Sequence, residues 1–462
     1  MMSWTVWYMQ AILHMARAEA KDTLARLLTE PEYEQDAAWG LLQLARTDAP
    51  SSMIWPRNWS MRAKNYDFVW RARAGETEVR FVEPLRADVS ALVRTRVGEI
   101  LAERAAAEYP EDYDHRLKQL AVALAEVDGR ASTETVLDIL DFPEPSTWPY
   151  GAWSRIHGLE ALLMQGVVLP SRKTWEIVEP IIQHVRAQRW NSQESSLMSH
   201  VVCIVLFTDD PITSIQRVRL LIEEKLLSME GLQGFTKALG YSRCPDAVAL
   251  LRELADDNVR VQHLGDDWID SIARFDSQEA RDLLMSFIDP TLPPLSRELI
   301  RHHDGRLVRR LAELAQRDAT VQQRIFDLAK ENISGLHATV LGKVLTNLGT
   351  VDALLASLEL LRDDGTGGGS YELHKNIEEA FVEHRPYRGS SNTFTMVPRS
   401  SNAIRGRLME MVQNDPLRRK SAFALLNEIE KWRMWHGRPD GEPRSPKMEA
   451  GFLWPPELEG SK

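Results

Sequence analysis

The stretch VQHLGDDWIDSIARFDSQEARDLLMSFIDP, Val261 to Pro290, predicts two short amphipathic helices with a tight break between them. The apolar residues of its first half recur at the period of one helical face: Val261, Leu264, Trp268, Ile272 and Phe275. Asp276 and Glu279 then read as an Asp-led capping box that starts a second helix, and Pro290 ends that helix. A hairpin this small cannot bury its apolar stripe alone, so similar hairpins must stack on both sides of it.

Helical periodicity runs from about residue 88 to residue 362, and hairpin-like units recur in it every 30 to 45 residues, roughly the spacing of HEAT-type repeats. In most units a small, polar or proline-bearing turn opens the second helix, and Thr213 with Gln216 reads as a capping box. The units begin near Arg116, Trp153, Ser195, Gly231, Val261, Asp304 and His337. The sequence therefore predicts an all-α fold, a HEAT-like α-solenoid of stacked helical hairpins with an irregular N-terminal insertion and a C-terminal cap.

This pattern divides the chain into four parts: residues 1–46 as an N-terminal helical hairpin, 47–87 as a Trp/Arg-rich insertion, 88–362 as the repeats, and 363–462 as C-terminal helices with a proline-rich cap. Thr77 to Val82, within the insertion, alternates like a strand. The insertion is interpreted either as a structured decoration of the solenoid or as the junction with something upstream of it.

Composition narrows the class of protein. The 462 residues carry a formal net charge of -11, whereas a protein that wraps nucleic acid usually presents a basic face, so nucleic acid is not an expected partner. Two cysteines, Cys203 and Cys244, are too few for a disulfide framework, and neither belongs to a CxxC zinc pair. No apolar run approaches the about 18 residues of a membrane span. We therefore expect a cytoplasmic protein without a membrane segment.

Motifs for chemistry are mostly missing from the sequence. It contains no GxxxxGK[ST] phosphate loop, no GxGxxG after a strand and no HExxH, so we expect no enzyme activity, no cofactor and no metal site. His374 and His384 could share one helical face, although ordinary surface histidines fit as well. An acidic set either coats a groove or forms a solvated rim: Asp256, Asp257, Asp266, Asp267 and Asp270. Cys203, surrounded by apolar residues, is predicted to lie in the core.

The insertion holds the best candidate for a partner-binding patch. Trp55 and Trp59 alternate with Arg57 and Arg62, a mixture that grips protein or nucleic-acid partners through stacking and charge. The alternative interpretation is an insertion with a small core of its own.

The C-terminal segment, Asp415 to Pro456, carries a resemblance to a known family. It contains a leucine-rich helix ending in Trp-Arg, followed by Gly-Arg-Pro, Glu-Pro-Arg and Trp-Pro elements in a fixed order. In this it resembles the C-terminal end of bacterial NACHT-type NTPases, the NLR-like STAND proteins of antiphage defence. Ser445 departs from the pattern, which usually has histidine after the arginine of Glu-Pro-Arg. The residues read as its structural signature are Trp432, Arg433, Arg438, Pro439, Arg444 and Trp454.

The resemblance implies a sensor or C-terminal half of such a protein, because the family's phosphate-binding loop has no counterpart in this sequence. The implied function is a non-catalytic ligand-sensing or protein-binding module, with a phage-derived or host protein as partner and an NTPase module in cis or in trans. In the signature, a helix-end tryptophan would shield the last apolar layer, while arginines satisfy terminal carbonyls. Two alternatives stay open: a general HEAT-like scaffold with no defence role, and a helical-repeat enzyme acting on DNA.

Overall fold

The computed structural model describes residues 12, 15–46, 81–143, 150–187, 192–255, 258–293, 295, 297–331, 333, 335–361 and 402–436. Over these residues the chain is helical, and its only β-type pairings are two isolated bridges, Arg46 with Phe81 and Leu169 with Thr208. The expected all-α character is therefore confirmed for this part of the chain. The chain divides into two compact units, Met1–Leu251 and Arg252–Lys462.

The first unit is built from helices of 8 to 24 residues, and the last of them runs past the unit boundary at Leu251. Their bounds are α1 Arg17–Leu27, α2 Glu34–Ala45, α3 Glu83–Ala106, α4 Glu111–Asp128, α5 Thr133–Leu140, α6 Tyr150–Met164, α7 Ser171–Ala187, α8 Ser192–Ile204, α9 Pro211–Glu223, α10 Met229–Ser242 and α11 Asp246–Ala255. Two short 3-10 turns, Gly129–Ser132 and Val205–Phe207, join α4 to α5 and follow α8.

In this unit each helix of even number packs on the following helix of even number. Helices α2, α4, α6, α8 and α10 contact one another in succession, while α5 and α7 pack together beside them. The facing apolar side chains of α4 and α6 are fully buried, among them Leu117, Leu124, Ile156 and Leu159. Each such side chain contributes about 1.5–3 kcal/mol when it leaves water, so the core lies between consecutive hairpins rather than at one centre.

The second unit repeats this arrangement. Its helices are α12 Asn258–Ile272, α13 Gln278–Met285, α14 Arg297–Arg317, α15 Ala319–Lys330, α16 Gly335–Leu348, α17 Val351–Leu358, α18 Asn402–Asn414 and α19 Arg419–His436. Helices α12, α14 and α16 pack in succession, α15 packs on α17, α17 on α18, and α18 on α19.

The stretch that predicted the fold forms α12 and α13. Leu264, Trp268 and Ile272 are buried, and the Trp268 ring meets Phe287 of the second half edge-on at 6.2 Å. The helix start was predicted one residue too early, since the N-cap is Ser277, whose Oγ accepts from Ala280 N at 3.2 Å. Ser277 has the extended backbone that an N-cap needs, and Asp276 lies before it.

The capping box predicted at Thr213 is also wrong. Helix α9 begins with Pro211, and its N-cap is Asp210, which accepts a hydrogen bond from Thr213 N at 3.1 Å. Proline suits the first helical position because it has no N–H to satisfy and its φ is already helical. The helix therefore starts earlier than the polar pattern indicated.

The ends of the Trp/Arg-rich segment meet. Arg46 and Phe81 form an antiparallel bridge, and Val82 N donates to Ala45 O at 2.8 Å. Helix α3 begins directly afterwards, at Glu83. Residues 47–80 between them, with most of the predicted strand at Thr77 to Val82, lie outside the described residues.

Candidate interaction sites

The side chains predicted to bind a partner lie in a part of the chain that the structure does not describe. Trp55, Arg57, Trp59 and Arg62 lie outside the described residues, as do His374 and His384. Of the C-terminal signature, Trp432 and Arg433 belong to helix α19 but their side chains are outside the description. Arg438, Pro439, Arg444 and Trp454 lie beyond it as well. These assignments therefore stay predictions.

Four residues form a polar cluster, here called the C-terminal junction, where helix α17 meets the segment that carries the family resemblance. Glu359 is the C-cap of α17, and its carboxylate accepts from Arg407 Nη2 at 2.6 Å. Its backbone oxygen accepts from Arg418 Nη2 at 2.7 Å and Nε at 3.1 Å. Asp415 holds Arg418 in place through Nη1 at 2.6 Å. The side chain and the main chain of Glu359 are thus both held by arginines.

Charge and backbone geometry explain this arrangement. The last carbonyl groups of a helix have no partner within it, and Arg418 supplies donors to one of them. Burial alone would raise the pKa of Asp415, but the hydrogen bond and positive charge of Arg418 hold that pKa below its ordinary value. Asp415 therefore stays ionised and orients Arg418. This gives a structural role to the Asp-Pro-Leu-Arg run that opens the resemblance.

A second polar cluster, the His–Glu cluster, lies between α6 and α8 in the first unit. Nδ1 of the buried His200 lies 2.5 Å from Glu160 Oε1. The Trp153 ring stacks on His157 at 5.4 Å and meets His200 edge-on at 5.2 Å. Burial works to raise the pKa of Glu160, yet His200 and His157 together hold it below its ordinary value. The cluster joins two helices of one layer by charge and aromatic contact.

Two members of the acidic set, Asp266 and Asp270, lie on α12 and contact α14. Asp270 receives Arg310 Nε at 2.8 Å and pairs with Arg306 at 3.3 Å, while Asp266 lies 3.0 Å from His303 Nδ1. These two aspartates therefore connect neighbouring helices. The Asp270 side chain is 23% exposed, whereas that of Asp266 is 55% exposed and still fits a solvated rim. Asp256 and Asp257 lie outside the described residues.

Cys203 was correctly predicted as a core residue. It is fully buried, and burial together with the negative charge of Glu160 raises the pKa of its thiol well above the ordinary value. Cys244 is also buried. Within the described ranges, no group of histidine, cysteine, aspartate and glutamate side chains is arranged to hold a metal ion. None of the helices described is both long enough and apolar enough to cross a membrane.

The described residues therefore define an all-helical class of protein, in which polar contacts join several neighbouring helices within each unit. Residues 376–455 match the family model described as NACHT C-terminal Alpha/Beta 2. The resemblance predicted from the motifs after Asp415 is thus confirmed for this region, which is NACHT-associated, and the described part of it forms α18 and α19. No curated protein and no solved structure matches the chain.

Proposed function

We propose that this chain is a non-catalytic helical-repeat module that senses a ligand or binds a protein and works with a NACHT-type NTPase module, in cis or in trans, in the cytoplasm. The observation that carries the proposal is the match of residues 376–455 to the NACHT C-terminal family, supported by helices that pack on one another in succession within each unit. We further propose that the layers within each unit are those of a HEAT-like solenoid.

The mechanism follows from what stacked hairpins do well. Each hairpin contacts mainly its neighbours, so the stack presents a broad surface whose shape responds to small rotations between units. A phage-derived or host protein bound to that surface would favour one arrangement over another. The NTPase module would respond only as far as the partner binds the two arrangements with different affinity.

The contact patch in this proposal is formed by Trp55, Arg57, Trp59 and Arg62. Tryptophan and arginine are the residue types that dominate binding energy at protein interfaces, and here they occur together in a short segment. The formal net charge of -11 favours a protein partner over nucleic acid.

The experiment is affinity capture of the full chain from phage-infected and uninfected cells, followed by titration of the purified captured protein in a calorimeter. The expected result is one partner specific to infection, whose affinity falls at least about tenfold in a Trp55→Ala/Trp59→Ala variant, the loss typical of interface hot spots. A Trp70→Ala variant, in the same segment but outside the patch, serves as the matched control. If the partner binds both variants with unchanged affinity, the contact patch does not include Trp55 and Trp59. If no partner is captured under conditions where defence is active, the sensor role is refuted.

A further inference from the structure

Helices α18 and α19 form a hairpin with its own interior. They pack against each other more extensively than α18 packs on α17. An ion pair between Arg405 and Glu430 joins the two helices from within. The buried apolar side chains they contribute are Ile404, Leu408, Met411, Ala422, Leu425, Leu426 and Ile429. The packing of α18 on α19 and the ion pair thus give the hairpin internal contacts besides its contact with α17.

The contact with α17 is, by contrast, strongly polar. Arg407 binds the Glu359 carboxylate and Arg418 binds the Glu359 backbone oxygen, so one residue of α17 receives both arginines. Side-chain exposure is 23% for Glu359, 36% for Arg407 and 16% for Arg418. Arg407 is exposed enough for counterions to weaken its pair with Glu359 as salt rises. The largely buried Arg418 is screened much less.

Glu359 is also poorly placed for α17 itself. The C-terminal end of a helix carries partial negative charge, so a carboxylate at the C-cap is unfavourable unless cations offset it. Arg407 and Arg418 provide that offset. The glutamate at this position therefore stabilises the contact between α17 and the α18–α19 hairpin. It does not stabilise α17 itself.

We propose that the C-terminal junction is a releasable polar latch, and that the α18–α19 hairpin undocks from α17 as one folded unit when the latch is broken. The latch couples the NACHT-associated segment to the helical layers. The proposal concerns this coupling alone and holds whatever partner the layers bind.

Hydrogen exchange on the full chain, followed by mass spectrometry, tests the latch. In Arg407→Gln, which removes one charge-assisted hydrogen bond to Glu359, we expect exchange of the amides in 351–361 to become about tenfold faster. Arg418→Gln removes two such bonds, so its effect should be at least as large. The α18–α19 amides that bond within the hairpin should keep most of their protection. High salt should accelerate exchange in 351–361 in the unmodified chain as well, which needs no variant.

Two further variants separate a latch from general loosening. Arg405→Gln removes the ion pair inside the hairpin, so it should accelerate exchange only within 402–436. Arg407→Lys keeps the positive charge opposite Glu359, so it should retain more protection at 351–361 than Arg407→Gln does. The latch is refuted if Arg407→Gln and Arg418→Gln leave 351–361 unchanged, if the hairpin loses its own protection in step with 351–361, or if Arg407→Lys loses as much protection as Arg407→Gln.

Discussion

The imidazole ring of His303 lies against the backbone of Gly265, so closely that a Cβ on residue 265 would be 2.1 Å from His303 Cδ2. His303 is also the point where helix α14 departs from helical geometry, with φ -130° and ψ 20°. Its Nδ1 lies 3.0 Å from Asp266, the neighbour of Gly265. The kink in α14 and the missing side chain in α12 therefore fit together.

This fit predicts that Gly265→Ala destabilises the protein, by about 1–3 kcal/mol, because the added methyl group forces the ring and the kink to move. The loss is measured as a shift of the urea midpoint. Gly406→Ala is the matched control, since a Cβ there meets nothing within 4 Å, and it should stabilise the protein by about 0.5–1 kcal/mol. A neutral Gly265→Ala would show that the ring does not pack as described.

A second prediction concerns the start of α13. Ser277→Ala removes the side-chain acceptor for Ala280 N and should cost about 1 kcal/mol of unfolding free energy. Asp276→Ala should cost clearly less, because Arg281 binds the backbone oxygen of residue 276, which the substitution keeps. Thermal or urea unfolding of both variants measures the two losses. A larger loss in Asp276→Ala than in Ser277→Ala would support the capping box predicted from the sequence, with Asp276 as the N-cap.

This one-residue error shows which features the sequence predicts and which it does not. The apolar spacing predicted the buried positions Leu264, Trp268 and Ile272 and the helical class of the chain, because periodicity reports directly on which face is covered. Choosing between Asp276 and Ser277 needs the backbone conformation, since both residue types are good N-caps.

The contacts of the C-terminal junction could not be predicted from one sequence, for a different reason. Glu359 and Arg407 are 48 residues apart, and each has an ordinary surface-type neighbour of opposite charge close by in the chain. Nothing in the spacing selects the long-range partner. The motif after Asp415 indicated the family, but only the structure shows Arg418 reaching the end of α17.

A third prediction concerns Glu34, which joins three helices of the first unit. It is almost fully buried and accepts from Arg96 Nε at 2.6 Å and from Arg116 Nε at 2.9 Å. Glu34→Gln leaves two guanidinium groups without their shared carboxylate and should cost about 3 kcal/mol. Glu99→Gln removes a half-exposed partner of the same Arg96 and should cost less than about 1 kcal/mol. Equal losses in the two variants would contradict the central position of Glu34.

The thiols offer a test of burial that needs no substitution at all. Cys203 is fully buried with a raised thiol pKa, and Cys244 is 3% exposed, so neither should react with a thiol reagent until the chain opens locally. We expect Cys244 to be labelled first in the native protein, and both to react rapidly in denaturant. Peptide mass spectrometry after timed alkylation reads the order, and early labelling of Cys203 would contradict the packing of α8.

The last prediction is a pH dependence at Asp289, which lies three residues beyond Ser286, the C-cap of α13. Burial works to raise its pKa, but hydrogen bonds from Arg324 and Thr291 hold the pKa below its ordinary value of 3.8. A carboxyl group whose pKa is lower in the folded state stabilises the protein fully above the unfolded pKa value, and that contribution is lost as pH falls through the folded pKa value.

The difference in unfolding free energy between the native chain and Asp289→Asn should therefore be constant above about pH 5 and shrink below about pH 4. Asp282→Asn is the control. Asp282 lies on α13, its side chain pairs only with Gln278 among the contacts described for it, and the variant should show a much smaller change over that range. Urea midpoints measured between pH 2.5 and 7 test this prediction. That range covers at least about one pH unit on either side of the ordinary aspartate pKa. A difference that stays constant down to the lowest pH would mean that Asp289 does not owe its contribution to its charge.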